Sequence, residues 1–224
     1  MNQRLTTQDT VARLAVRVPA ASRVFMRHGI DYCCGGQRRL ADVCAERGLV
    51  ADDLLDEITL EHPLAEGARW DERPLGELVA HIVTAHHRPL DEELPRLLAM
   101  ARKVEAVHGD KDPVRLHELA VLCERLFADL AEHMKKEEAV LFPWIVAGNG
   151  RSAGGPIRVM HLEHDEVARD LRRLHELTDD FTPPAGACVT WRALWLGLEA
   201  LDADLRQHMH LENNVLFPRA LAAR

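Results

Sequence analysis

The chain has 224 residues, 47% of them apolar, which allows one large domain, or a medium domain and a small one, with a buried core. Its formal net charge of −8 argues against nucleic acid as a main partner, and no apolar run approaches the roughly 18–20 residues that a membrane span needs. Five cysteines, two of them adjacent, do not suggest a disulfide framework, and residues 1–18 lack an apolar signal segment, so we expect a cytoplasmic protein.

The first sixty residues predict a small helical domain, 1–60. Aromatic residues are scarce in the chain, and its apolar residues are mainly Leu, Ala and Val, which favours helices over strands. Gly29 stands where a helix C-cap would end the second helix. Residues 59–72 contain His62, Pro63 and Gly67 and predict a linker. The predicted short helices are 10–16, 21–28, 40–47 and 52–58.

Residues 73–224 predict a second domain of four long amphipathic helices. Stretches that contain Gly and Pro separate them, at 109–113, 148–156 and 182–186. Long helices joined by short connections are typical of an antiparallel four-helix bundle, so the expected fold class is all-α. The predicted helices are 74–107, 113–147, 156–179 and 187–222.

An internal repeat links the second and fourth of these helices. Residues 133–143 read HMKKEEAVLFP, and residues 208–218 read HMHLENNVLFP. A His and a Glu four residues apart share one face of a helix, and imidazole with carboxylate suits iron, manganese or zinc. A single such pair is more often a surface ion pair, but two matched copies favour a metal site. The ligands predicted from the repeat are His133, Glu137, His208 and Glu212.

The first and third helices each add one histidine. His164 is flanked at helical spacing by Met160, Val167 and Leu171, so it should face the core. On the first helix, His86 and His87 are adjacent candidates. The apolar positions are in register with His87, whereas Pro89, Glu93 and Arg96 are in register with His86. The register therefore selects His87.

A dinuclear centre accounts for all six residues. Burying four histidines and two glutamates without a metal would be very costly. Each metal could take two histidines, while Glu137 and Glu212 bridge both metals and leave positions open for a small ligand. H-x-x-x-E spacing resembles the hemerythrin-like class more than the ferritin-like E-x-x-H class. The chain departs from true hemerythrins because Ala168 follows His164 by one turn where they have a histidine, and because the last helix has His208 and Glu212 in place of their H-x-x-x-x-D pattern.

The chain contains a DYCCGG segment at 31–36, His133 with Glu137, EHDE at 163–166 and LENNVLFP at 211–218. In these residues it resembles the bacterial repair-of-iron-centres (RIC) family of di-iron proteins. The resemblance implies a hemerythrin-like bundle behind a small helical domain, a pair of non-haem iron ions with carboxylate or oxo bridges, and the ligand set His87, His133, Glu137, His164, His208 and Glu212. It also implies repair of iron–sulfur clusters damaged by nitric oxide or oxidants.

The adjacent Cys33 and Cys34 allow several interpretations. They can be free thiols, a vicinal disulfide or ligands to a partner's metal, and nearby Arg38 and Arg39 could lower a thiol pKa. Two small apolar residues in a turn is the plain alternative, but the resemblance favours redox or client-docking thiols. The chain's other cysteines, Cys44, Cys123 and Cys188, are predicted to be small buried residues. Glu163 and His86 are candidates to support ligands or simply polar neighbours, and Glu138, Asp165 and Glu166 are predicted surface charges.

Three functions remain in competition at this point. The first is repair of damaged iron–sulfur proteins as clients, with donation of iron as one route. The second is an enzyme that reduces nitric oxide, peroxide or oxygen, and the third is a sensor or carrier of oxygen or nitric oxide. Whether the chain is an enzyme, and whether it forms a homodimer, is left open.

Overall fold

A computed structural model describes residues 5–61 and 69–223. Every regular element in these ranges is a helix, apart from one isolated β-bridge between Thr10 and Arg39, so the all-α prediction is confirmed. His62, Pro63 and Gly67 of the predicted linker lie outside the described residues. Among the helices of the described ranges, none combines the length and the apolar character needed to cross a membrane.

Four short helices form the N-terminal part and enclose an apolar core of their own, which includes Leu14 and Phe25. The Thr10 hydroxyl caps the first helix by accepting a hydrogen bond from the backbone N–H of Arg13 at 3.2 Å. Gly29 follows the second helix at φ 62°, a left-handed conformation that glycine adopts without strain. The helices are α1 (Val11–Arg17), α2 (Ala21–Arg27), α3 (Leu40–Arg47) and α4 (Ala51–Glu61).

Four long helical segments form the bundle, and a π-helical turn interrupts three of them. The helix α6 packs against α7 and α10, and α9 packs against the same two, which closes the bundle. The first segment is α5 (Leu75–Ile82), a π turn (Val83–His87) and α6 (Arg88–His108); the second is α7 (Pro113–Lys136), a π turn (Glu137–Leu141) and α8 (Phe142–Val146). The third is α9 (Gly154–Thr178), and the fourth is α10 (Val189–Leu211), a π turn (Glu212–Leu216) and α11 (Phe217–Ala222).

A proline follows each π turn by two residues, at Pro89, Pro143 and Pro218. Proline has no N–H to donate, and its ring clashes with the carbonyl four residues earlier, which lies inside the π turn in each case. The helix widens there, so that the backbone N–H of Phe142 bonds to the carbonyl of Glu137 and that of Phe217 bonds to Glu212. Such turns occur often at functional sites.

Two apolar clusters lie along the bundle, and on the first and third segments a predicted ligand lies between them. On the first segment, Ile82 belongs to the cluster at one end and Leu90 to the central cluster, with His87 between them. On the third, Met160 and Val167 flank His164 in the same way. The ligand residues therefore form a buried polar layer between two apolar layers.

Candidate metal centre

All four helical segments contribute to a buried cluster of the six predicted ligands. None of the six is more than 4% exposed, and His87, Glu137 and Glu212 are completely buried. They form two groups of four, within each of which one donor atom per residue lies within 4.8 Å of the others. We call these groups the His87–His208 position and the His133–His164 position. Glu137 and Glu212 belong to both.

Each shared glutamate directs one carboxylate oxygen towards each position. The two oxygens of a single side chain thus face histidines from different helical segments, as a bridging carboxylate requires. The four separations are Glu137 Oε2 to His87 Nε2 (3.5 Å), Glu137 Oε1 to His133 Nε2 (3.4 Å), Glu212 Oε1 to His208 Nε2 (3.0 Å) and Glu212 Oε2 to His164 Nε2 (3.3 Å).

Hydrogen bonds outside the cluster orient three of the four imidazole rings. A neutral imidazole carries one hydrogen, and a carboxylate opposite Nδ1 draws it to that atom, which leaves the Nε2 lone pair for a metal. For His164 the partner is the amide of Asn213, whose Nδ2 donates to the carbonyl of Cys33 and whose Oδ1 therefore accepts. The three bonds are His87 Nδ1 to Glu138 Oε1 (2.9 Å), His133 Nδ1 to Glu163 Oε2 (2.7 Å) and His164 Nδ1 to Asn213 Oδ1 (2.8 Å).

The residues present fit a pair of metal ions. His133 Nε2 and His164 Nε2 are 3.1 Å apart, so a proton or a metal cation must lie close to both nitrogens to offset the repulsion of their lone pairs. Both oxygens of Glu137 and Oε2 of Glu212 are buried and have no hydrogen-bond partner in the described part of the chain. Unsatisfied buried carboxylates are costly, and imidazole with carboxylate is a donor set for iron, manganese or zinc. Cations at both positions would satisfy these atoms.

Within the cluster, the pKa values of the two glutamates shift in opposite directions, and so do those of His87 and His133. Burial and the neighbouring Glu212 raise the pKa of Glu137, whereas His208 and His164 hold the pKa of Glu212 well below its usual range despite its burial. Burial, together with His208, lowers the pKa of His87 to about 4. Burial also acts against protonation of His133, but Glu137 raises its pKa to about 9. The pKa of Glu137 is raised while that of Glu212 is lowered because two carboxylates buried side by side repel each other when both are charged.

Sequence reasoning missed two residues that orient the ligands. Glu138 was expected to be a surface charge, but its side chain accepts the hydrogen bond of His87, so that expectation is wrong. Asn213 belongs to the LENNVLFP segment but was given no role, yet its side chain accepts the hydrogen bond of His164. A signal was present in the repeat, because both residues come directly after the shared glutamates Glu137 and Glu212.

The structure separates the two adjacent histidines of the first segment. His87 directs Nε2 into the cluster, at 3.0 Å from His208 Nε2. His86 is also buried, but its Nδ1 lies 2.7 Å from Asp204 Oδ1, and its ring stacks on that of His208 with centroids 5.3 Å apart. His86 is therefore not in either group of four, although it touches a member of one.

The turn that contains Cys33 and Cys34 packs on the fourth segment beside the cluster. The backbone N–H groups of both cysteines donate to Asp31 Oδ1, at 3.1 and 3.0 Å, which holds the turn. Asn213 Nδ2 lies 3.3 Å from the Cys33 carbonyl oxygen and 3.7 Å from Cys34 Sγ. Gly36 is required here, because a Cβ would lie 2.6 Å from the carbonyl oxygen of Tyr32.

Both cysteines are free thiols in the structure, with Cys33 buried and Cys34 half-buried. The pKa of Cys33 is raised, by its interaction with the Cys34 thiol and by burial, so the lowering expected from Arg38 and Arg39 is not found for this residue. Arg38 instead pairs with Glu46.

The cysteines predicted to be small buried residues differ from one another. Cys44 and Cys123 are buried as expected. The prediction is wrong for Cys188, which is half-buried because it precedes α10, at the end of the bundle. Its Sγ lies 3.2 Å from His108 Nε2, so the thiol has a polar partner.

Comparison with known proteins covers nearly the whole chain. Residues 78–220 match the family described as the hemerythrin HHE cation binding domain, and residues 7–62 match a family described as a domain of unknown function, DUF542. The iron-sulfur cluster repair protein YtfE of Musicola paradisiaca is 43% identical over 217 residues, which are 96% of each chain. A probable iron-sulfur cluster repair protein of Haemophilus influenzae is 40% identical over 96% of this chain and 97% of its own.

A third relative, the iron-sulfur cluster repair protein YtfE of Yersinia pseudotuberculosis, is 42% identical over 95% of this chain and 96% of its own length. The hemerythrin HHE match indicates that the bundle binds iron, and it contains all six residues of the buried cluster. Fold, buried cluster and sequence similarity agree, and the chain belongs to the family of iron–sulfur cluster repair proteins with a hemerythrin-like domain.

Proposed function

We propose that this chain repairs iron–sulfur clusters damaged by nitric oxide or oxidative stress, acting in the cytoplasm on damaged iron–sulfur proteins as clients. The observation that carries the proposal is the pair of four-residue groups that share Glu137 and Glu212, because shared carboxylates suit two metal ions rather than one. The names of the relatives support the repair role. We propose two units, 1–60 and 73–224, of which the second holds two iron ions and can donate iron.

The ligand residues have separate roles in this proposal. The four histidines supply neutral nitrogen donors, and Glu137 and Glu212 supply negative charges that offset part of the charge of two cations. Glu138, Glu163 and Asn213 orient rings, and the apolar layers on both sides limit access of water. Bound iron would supply one-electron chemistry between its ferrous and ferric states and coordination positions for a small ligand such as nitric oxide or oxygen.

Cys33 and Cys34 are proposed to act as redox or client-docking thiols. Their turn lies against the metal-binding segment, and Cys34 is partly accessible, so a client could approach both the thiol and the centre from one side. A double variant, Cys33→Ser with Cys34→Ser, should bind iron normally and lose repair activity. Full repair activity in that variant would contradict this role.

The decisive experiment combines metal analysis with two activity assays on protein purified without oxygen. We expect two irons per chain, and loss of iron in Glu137→Ala, since removing a shared carboxylate weakens both positions. Asp165→Ala is the matched control, because it removes an exposed carboxylate beside His164. Reactivation of a nitric-oxide-damaged iron–sulfur enzyme should require the ligands, whereas nitric oxide turnover without reactivation would favour a reductase. One zinc per chain, or repair that survives loss of the ligands, would refute the proposal.

A further inference from the structure

The two metal positions correspond through the internal repeat, but their supporting hydrogen bonds are unequal. At the His133–His164 position, both rings have an acceptor for Nδ1–H, namely Glu163 and Asn213. At the His87–His208 position, Glu138 accepts the hydrogen bond from Nδ1 of His87. His208 Nδ1 is buried and finds no hydrogen-bond partner anywhere in residues 5–61 and 69–223.

The inequality arises at one pair of corresponding residues, Glu163 and His86. Each precedes a predicted ligand by one residue, and each contacts the other histidine of the same position. Glu163 accepts from His133, and an ion pair with Lys136 at 2.7 Å fixes its carboxylate. His86 instead lays its ring against His208 and turns its Nδ1 to Asp204. The ring of His208 is therefore packed but has no acceptor.

An acceptor at Nδ1 matters for metal binding in two ways. It holds the tautomer that leaves the Nε2 lone pair free, and it makes Nε2 a stronger donor. Removal of such a partner typically weakens metal binding about 10–100-fold. His208 lacks both effects, whereas His133 and His164 have both.

We infer that the His87–His208 position holds its metal more weakly than the His133–His164 position and releases it first, so that Glu163 and Asn213 are positioning residues of the retained metal. The inference rests on the proposed di-iron function, and it names the position from which donated iron would come. The retained metal is thus assigned to His133 and His164, because both of these histidines have a hydrogen-bond acceptor at Nδ1.

Access from solvent alone predicts the opposite order of metal release. A groove of about 270 Å³ is lined by Lys136, Glu163 and His133, and His133 belongs to the His133–His164 position. If access alone set the order of release, that position would empty first. The order of release therefore distinguishes control by affinity from control by access.

The test is removal of iron from fully loaded protein by excess ferrous chelator without oxygen, followed by absorbance. We expect two phases of equal amplitude, with rates that differ about 10–100-fold. His87→Ala, loaded with one iron, should show the slow rate alone, and His133→Ala the fast rate alone. A single phase in the parent protein, or the reverse assignment of the two rates, would overturn the inference.

Three variants separate an orienting role of Glu163 from a merely structural one. Glu163→Ala should raise the slow rate of iron removal until it is close to the fast rate. Glu163→Gln keeps a hydrogen-bond acceptor for His133, so most of the difference between the two rates should remain. Asp165→Ala, an exposed change on the same helix, should alter neither rate. Equal acceleration by Glu163→Ala and Glu163→Gln would count against the hydrogen bond as the cause.

Failure of the inference and failure of the proposed function have different signatures. Iron that leaves in one phase from protein that still repairs a damaged cluster overturns only the inference. Two-phase release from protein that repairs nothing supports the inference and overturns only the proposed function.

Discussion

His164 donates a hydrogen bond from Nδ1 to Asn213 Oδ1 at 2.8 Å, and the amide of Asn213 donates in turn to the carbonyl of Cys33. A single side chain thus connects a histidine of the metal centre with the Cys33–Cys34 turn of the N-terminal part. The adjacent Asn214 also bonds to the Cys33 carbonyl, at 3.0 Å, but its other partners are Tyr32, His210 and Gln37. The two asparagines therefore form a matched pair for mutation.

Asn213→Ala and Asn214→Ala should have different effects. Asn213→Ala removes the acceptor of His164, so we expect iron retention to fall about 10–100-fold. Asn214→Ala should keep both irons and lose about 1 kcal/mol of stability, because it removes hydrogen bonds between the turn and the bundle. Iron content after dialysis and thermal unfolding measure the two effects. Equal loss of iron in both variants would contradict the separate roles.

His87→Ala and His86→Ala test the choice between adjacent histidines. His87→Ala should lose about half of the bound iron, because it removes a donor that faces both shared glutamates and His208. His86→Ala should retain two irons on purification, since its nitrogen faces Asp204 instead. Metal analysis of both proteins gives the answer. If His86→Ala lost iron as completely as His87→Ala, the assignment of the ligand would be wrong.

His175 should make stability depend on pH above neutrality. Its hydrogen bond to Asp202 raises the pKa of His175 in the folded protein above the ordinary value near 6.5. The folded state therefore binds the proton more strongly, so this stabilisation is complete below pH about 6.5 and disappears as the pH rises through the folded pKa. The difference in unfolding free energy between the parent protein and His175→Gln should be larger at pH 5.5 than at pH 9, by less than about 1 kcal/mol.

Urea unfolding at the two pH values measures this difference. His117→Gln is a suitable control, since His117 is an exposed histidine that pairs with Glu105 on the neighbouring segment. A difference for His175→Gln that is the same at both pH values would show that the ion pair with Asp202 does not contribute.

Asp179→Gly should stabilise the protein. Asp179, Asp180 and Phe181 follow the end of α9 with φ values of 54°, 50° and 57°, a left-handed region that costs residues other than glycine roughly 1–2 kcal/mol. Glycine removes that cost at a helix C-terminus but adds freedom to the unfolded chain, so we expect a net gain of about 0.5 kcal/mol. Asp165→Gly, within α9, should instead lose about 1 kcal/mol. Denaturant unfolding measures both, and a loss in Asp179→Gly would show that the turn is not strained.

Helical periodicity carried the prediction of the fold. Residues three and four apart share a helix face whatever the rest of the chain does, so four amphipathic segments could be recognised locally. The repeat extended this to the site, because His133 with Glu137 and His208 with Glu212 recur with the same neighbours. The π turns were not predicted, although Pro143 and Pro218 in the two repeats mark where the helix must widen.

The sequence by itself determined the four-helix class and the six residues that meet in the bundle, because both follow from short-range spacing. Only the tertiary structure decided that each shared glutamate faces both positions, that Asn213 connects His164 with the Cys33 turn, and that His208 lacks an acceptor. These relationships join side chains from different segments. They depend on how closely those segments pack and which way each ring is turned, and no local pattern specifies either.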